Sequence, residues 1–115
     1  MELTKIVDKL GLKVAAGGDH LNKEVQSGYV SDLLSDVMAN AHAGALWITI
    51  QTHANIVAVI TLNDLAGVVI ANGKPPAEDT LAKARAEGVA ILTTPLSSYE
   101  FAGQLYKLGV RGIAP

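Results

Sequence analysis

The chain has 115 residues, of which 50% are hydrophobic and 17% are charged. This apolar content is enough to build a core, and it excludes a globally disordered chain. A formal net charge of -2 argues against nucleic-acid binding through a broad basic surface. Because the chain has no cysteine, disulfides, zinc–thiolate sites and cysteine nucleophiles are excluded.

The length matches one domain, and we expect residues 1–115 to form it. The amino terminus lacks the basic start and apolar run of a signal peptide. The most apolar region, residues 45–71, is interrupted by polar side chains, so it falls short of the roughly 20 apolar residues that span a bilayer. We therefore predict a soluble, cytoplasmic protein that does not associate with membranes.

The first third of the chain is predicted to contain two helices and two strands. Apolar side chains at helical spacing predict a first helix that ends at Gly11. Residues 12–16 and 24–30 are expected to be strands, separated by a turn at residues 17–19. A second helix is expected after Ser31, a residue type that caps helix starts.

The dipeptide Gly-Val recurs every 21 residues, at residues 67–68, 88–89 and 109–110. Each copy ends a helical stretch, where glycine permits a left-handed exit, and starts an apolar stretch suited to a buried parallel strand. We predict strands at residues 45–50, 68–71 and 89–93, and helices at 55–65, 77–87 and 98–108. This alternation predicts an α/β fold with a mainly parallel sheet of βα repeats, flanked by helices.

The middle of the chain is almost free of charge. Residues 37–73 contain one formal charge, Asp64, whereas the 36 residues before them contain ten. The helix predicted at residues 55–65 is apolar around nearly its whole circumference, so both of its sides must be covered. A small domain has few residues left to form a second layer over this helix. This favours a homodimer, in which another copy covers the helix, over the alternative that the amino-terminal segment covers it. The predicted dimer interface is Ile56, Val57, Val59 and Ile60.

Three polar loops follow the predicted parallel strands, at residues 51–55, 72–75 and 93–98. In open α/β sheets, ligands bind beyond the carboxyl ends of the strands. Hydroxyls, the N–H groups of helix starts and the Lys74 cation would suit a phosphate or a carboxylate. The alternative is that these residues are ordinary caps and turns. The candidate ligand-binding residues are Thr52, His53, Asn55, Asn72, Gly73, Lys74, Thr93, Thr94, Ser97 and Ser98.

Motifs for catalysis are absent from the sequence. There is no phosphate-binding loop of P-loop kinases, no dinucleotide-binding glycine motif and no nucleophile elbow. His53 stands at a strand end, but no carboxylate lies at a ligand interval from it, and no two histidines have the spacing of a helical metal pair. We therefore predict no catalytic residues, no metal and no cofactor.

Four stretches of the chain resemble the DRTGG domain family, in the family's order. They are residues 28–39, 45–53, 70–76 and 92–100. The resemblance implies a fold similar to the amino-terminal domains of HPr kinase/phosphorylase and of MurF-type ligases. DRTGG domains occur alone, beside CBS domains in regulated pyrophosphatases, and in long phosphotransacetylases, so the resemblance implies a regulatory and dimer-forming module. The pentapeptide that names the family is absent here, and no binding residue is carried over from it.

Three hypotheses follow for the function. The first is a non-enzymatic regulatory module, a homodimer that binds a small anionic ligand, with a nucleotide as one candidate, or that docks on a partner enzyme. The second is an interaction scaffold that has no ligand. The third is a small enzyme that uses His53 with a neighbouring hydroxyl.

Overall fold

The computed structural model describes residues 1–114, whose strands form one mixed sheet of five strands. The strands are β1 (Lys13–Ala16), β2 (Ser27–Val30), β3 (Ala45–Thr49), β4 (Gly67–Ile70) and β5 (Ile91–Thr93). The helices are α1 (Leu3–Leu10), α2 (Leu34–Asn40), α3 (Asn55–Asn63), α4 (Glu78–Glu87) and α5 (Ser98–Leu108). The predicted α/β class is confirmed, and the predicted bounds differ from these by a few residues.

The strand order across the sheet is β1-β5-β4-β3-β2. Strands β2 to β5 run parallel to one another, and β1 runs antiparallel to β5. The two amino-terminal strands extend the same sheet, as predicted, and they do so at its opposite edges. Because β1 is reversed, its first residue lies at the same end of the sheet as the carboxyl ends of the other strands.

Two layers of helices cover the sheet, and successive strand residues point to opposite layers. Trp47 belongs to the core under α2, α3 and α4, whereas its neighbours Leu46 and Ile48 belong to the core under α1 and α5. Each face of the central strands is therefore buried, which suits their apolar sequences. None of the helices in this part of the chain is long and apolar enough to cross a membrane.

Helix α3 lies inside the fold of one chain. The side chains assigned to a dimer interface are Ile56, Val57, Val59 and Ile60, and each is at most 2% exposed. The helix packs on the sheet between α2 and α4, so neighbouring helices cover its flanks. Their assignment to an interface is therefore wrong, because these side chains offer no surface to a second copy. The amino-terminal segment, the alternative cover, supplies α2 on one flank of α3, whereas its first helix packs on the opposite face.

The Gly-Val repeat matches the structure at some positions and not at others. Gly88 and Gly109 end α4 and α5 in the left-handed conformation, as predicted. Gly67 instead belongs to β4, where a Cβ atom would lie 3.1 Å from the carbonyl oxygen of Ala90, and Asp64 makes the left-handed exit of α3. No strand is assigned in residues 110–114.

Candidate functional site

The predicted ligand loops lie at one end of the sheet, beyond the carboxyl ends of β3, β4 and β5. The loops after β4 and β5 are joined by backbone hydrogen bonds. The amide of Asn72 donates to the carbonyl of Leu96 at 2.8 Å, and the amide of Gly73 donates to the carbonyl of Thr94 at 2.9 Å. These two loops therefore converge on each other, and their relative position is fixed by the main chain.

The loop after β3 is attached to the start of α4 instead. The carbonyl of Thr52 accepts hydrogen bonds from the Thr80 hydroxyl at 2.7 Å and from the Ala77 amide at 3.3 Å. His53 in this loop is exposed, and within residues 1–114 no hydrogen bond holds its imidazole. The structure therefore gives His53 no group that would orient it for proton transfer.

An open cleft with a volume of about 600 Å³ lies between β1 and the loops after β4 and β5. We refer to it as the β1–β5 cleft; it is lined by Gly11, Lys13, Val14, Ala15, Gly73, Lys74, Pro75, Pro76, Glu78, Leu81, Thr93, Thr94 and Pro95. The predicted residues in its lining are Gly73, Lys74, Thr93 and Thr94. The predicted residues outside the lining are Thr52, His53, Asn55, Asn72, Ser97 and Ser98.

The cleft contains a second lysine that the sequence did not single out. Lys13, the first residue of β1, is paired with Thr93 of β5 in the antiparallel register. Both Lys13 and Lys74 are exposed, so each ammonium group is accessible to a ligand from solvent. Glu78 also lines the cleft, so two lysines and one carboxylate give the lining a formal charge of +1.

Two of the hydroxyl groups near the cleft accept hydrogen bonds within the fold. Thr94 is 3% exposed, and its side-chain oxygen accepts a hydrogen bond from the Leu96 amide. The Ser97 hydroxyl accepts one from the Glu100 amide and so caps α5. These hydrogen bonds are those of ordinary turns and caps, and ligand binding by these two residues stays a prediction.

The start of α4 does not favour an anion. Its first turn carries Glu78 and Asp79, whose carboxylates interact with the positive end of the helix dipole and would repel an anionic ligand there. The positive charge of the cleft therefore comes from the lysine side chains. Within the described residues, no three histidine or carboxylate side chains come together as a metal site would need.

A second polar network lies at the same end of the sheet, between the carboxyl ends of β2 and β3. One carboxylate oxygen of Asp32 accepts hydrogen bonds from the Thr49 hydroxyl at 2.8 Å and the Ile50 amide at 2.9 Å. The Gln51 side chain donates to the Asp32 carbonyl at 2.9 Å. The segment after β2 is thus attached to the end of β3.

A titratable pair lies between β2 and α2. The Tyr29 hydroxyl donates to the Asp36 carboxylate at 2.9 Å. Hydrogen bonds from Ser31, Tyr29 and Asn40 lower the pKa of Asp36 from its ordinary value. The bond to Asp36 in turn raises the pKa of Tyr29. Neither residue lines the β1–β5 cleft.

Comparison with known proteins gives a family for the chain and a solved structure with a similar fold. A family model described as the DRTGG domain matches residues 5–108. No curated protein sequence matches the chain. A crystal structure of the CBS and DRTGG domains of the regulatory region of Clostridium perfringens pyrophosphatase, complexed with its activator diadenosine tetraphosphate, has a similar fold. The TM-score is 0.67 at 17% identity, and the match covers 89% of this chain but only 44% of that one.

Proposed function

The chain belongs to the DRTGG domain family, and from this membership and the β1–β5 cleft we propose that it is a non-enzymatic regulatory module that binds a small anionic ligand. The ligand occupies the cleft, and its binding is communicated to a partner enzyme. A nucleotide is the leading candidate ligand. The structural neighbour supports this choice, since it is a regulatory region that was crystallised with a nucleotide activator.

The single observation that carries the proposal is the presence of Lys13 and Lys74 in one cleft. They come from strands and loops far apart in sequence, and the β1–β5 pairing brings them to the same end of the sheet. Exposed ammonium groups facing one concave surface attract an anion by the sum of their fields. A cleft of about 600 Å³ has the size of a small-molecule site.

The other hypotheses have less support. A His53-dependent enzyme would need a group that orients the imidazole, and the part of the chain described here provides none. Self-association stays a prediction, but it has lost its proposed surface because the apolar side chains of α3 lie inside one chain. A scaffold without a ligand is the outcome if the cleft binds nothing.

A thermal-shift titration of the whole chain tests the proposal. Diadenosine tetraphosphate, ATP and AMP are the probes, and a ligand present at 100 times its Kd should raise Tm by about 10 °C. Lys13→Ala and Lys74→Ala should each reduce the shift, because each removes a charged partner of the ligand. Lys107→Ala is the matched control, since Lys107 is exposed on α5 and does not line the cleft. If no probe shifts Tm, or if Lys107→Ala acts like the other variants, the proposal is wrong.

A further inference from the structure

The lining of the β1–β5 cleft combines positive charge with apolar surface, and this combination indicates the class of its ligand. Cations come from Lys13 and Lys74, and apolar surface comes from Pro76 and Leu81. Both side chains are only half-buried, so each keeps surface for contact with a bound molecule. A compact inorganic anion would leave the apolar wall in water, whereas a phosphate ester with a flat apolar group would cover it.

Glu78 adds a negative charge to the lining, and this charge would distinguish between anionic ligands. It stands in the same cleft as the two lysines, and within residues 1–114 neither its carboxylate nor the two ammonium groups belong to an ion pair. A free carboxylate repels a compact, highly charged anion, and it accepts hydrogen bonds from neutral hydroxyl or amino groups. The ribose hydroxyls of a nucleoside are such donors.

We propose that the cleft is selective for nucleoside phosphates over inorganic phosphates and pyrophosphate, with Glu78 as the residue that discriminates between them. The phosphate lies between Lys13 and Lys74, the base covers Pro76 and Leu81, and the sugar donates to Glu78. This inference rests on the proposed function, because it assigns the ligand class of the same cleft.

Isothermal titration of the whole chain with AMP, GMP and pyrophosphate tests this selectivity. At least one nucleoside monophosphate should bind about tenfold more tightly than pyrophosphate, since covering about 60 Å² of apolar surface accounts for such a factor. Adenosine should bind at least about tenfold more weakly than AMP, because it lacks the charged group that the lysines hold.

Two variants at the start of α4 isolate the role of Glu78. Glu78→Gln should raise the affinity for pyrophosphate about fivefold and so reduce the ratio of AMP to pyrophosphate affinity. Asp79→Asn removes a carboxylate from the same helical turn, but Asp79 does not line the cleft, so the ratio should stay within about twofold of the parent value.

The outcomes separate this inference from the proposed function. If the affinity for pyrophosphate equals or exceeds the affinity for both nucleotides, the proposed selectivity is wrong. The proposal that the cleft binds an anion would still hold. Equal changes in the affinity ratio for Glu78→Gln and Asp79→Asn also overturn the inference, because the effect would then come from general charge. If none of the probes binds, the proposed function and this inference both fail.

Discussion

Lys13 and Thr93 lie directly opposite each other in the antiparallel pair of β1 and β5. Through this pairing, a residue near the start of the chain reaches the loops that contain Lys74 and Thr94. The cleft is therefore built by strand order and strand direction, and the lysines that define it are not neighbours in sequence.

Ligand binding should weaken as salt concentration rises. Lys13 and Lys74 are exposed, and interactions between exposed charges are screened over a Debye length of about 10 Å at 0.1 M salt. We expect the Kd for AMP to increase about fivefold between 0.05 M and 0.5 M sodium chloride. Titration calorimetry at several salt concentrations measures this, and a Kd that does not change with salt would show that the lysines do not hold the phosphate.

The link between Thr80 and Thr52 should contribute to stability. Thr80 is fully buried, and its hydroxyl donates to the Thr52 carbonyl at 2.7 Å. Thr80→Val removes this donor at constant shape and leaves the carbonyl with the longer Ala77 bond, which should lower the free energy of unfolding by about 1–2 kcal/mol. Urea denaturation measures the loss. Thr80→Ser, which retains the hydroxyl, should preserve the hydrogen bond and serves as the comparison.

The burial of α3 within one chain predicts a contrast between two of its residues. Ile60 is 1% exposed, whereas Leu62 is 70% exposed. Ile60→Ala should lower the free energy of unfolding by about 2–4 kcal/mol, because it leaves a cavity in the core. Leu62→Ala should change it by less than about 0.5 kcal/mol. Urea denaturation at several protein concentrations measures both values, and a loss for Ile60→Ala that depends on protein concentration would mean that a second copy covers the helix after all.

The Tyr29–Asp36 pair predicts how stability depends on pH. Because hydrogen bonding lowers the pKa of Asp36 below its ordinary value of 3.8, its contribution is present above that value and is lost as pH falls through the lower folded pKa. Because the same bond raises the pKa of Tyr29 above 10.0, its contribution is present below that value and is lost as pH rises through the higher folded pKa.

Two phenylalanine variants test the alkaline part of this dependence. Tyr29→Phe should flatten the curve of unfolding free energy against pH above about pH 10, since it removes the group whose protonated form the fold stabilises. Tyr99→Phe is the matched control, because Tyr99 is 85% exposed. Identical alkaline curves for the parent chain and Tyr29→Phe would contradict the assignment.

Local sequence patterns predicted the elements of the fold well. Gly88 and Gly109 mark helix ends because a left-handed residue is a local requirement that glycine meets. Ser97 predicts the start of α5 for the same kind of reason, since its hydroxyl bonds an amide only three residues away. These features depend on neighbours along the chain, so the sequence contains their signal.

Features that depend on strand order were not predictable in this way. Helix α3 is apolar on most sides because α2 and α4 flank it, and the sequence does not show which helices share a face of the sheet. Lys13 was missed because only the reversed direction of β1 brings it to the ligand end. Gly67 belongs to the same Gly-Val pattern as the glycines that end helices, but it lies in β4, where the carbonyl of Ala90, just before β5, leaves little room for a Cβ atom.

The most direct test of ligand binding in the β1–β5 cleft is a titration of ¹⁵N-labelled protein with AMP, followed by amide chemical shifts in NMR spectra. We predict saturable shifts confined to amides that line the cleft, at residues 11, 13–15, 73–74, 78, 81 and 93–94. Shifts that instead centre on the groove between α3 and α4, around Leu62 and Lys83, or on the cleft beside Val30 and Tyr106, would contradict the account. So would the absence of any shift at millimolar AMP.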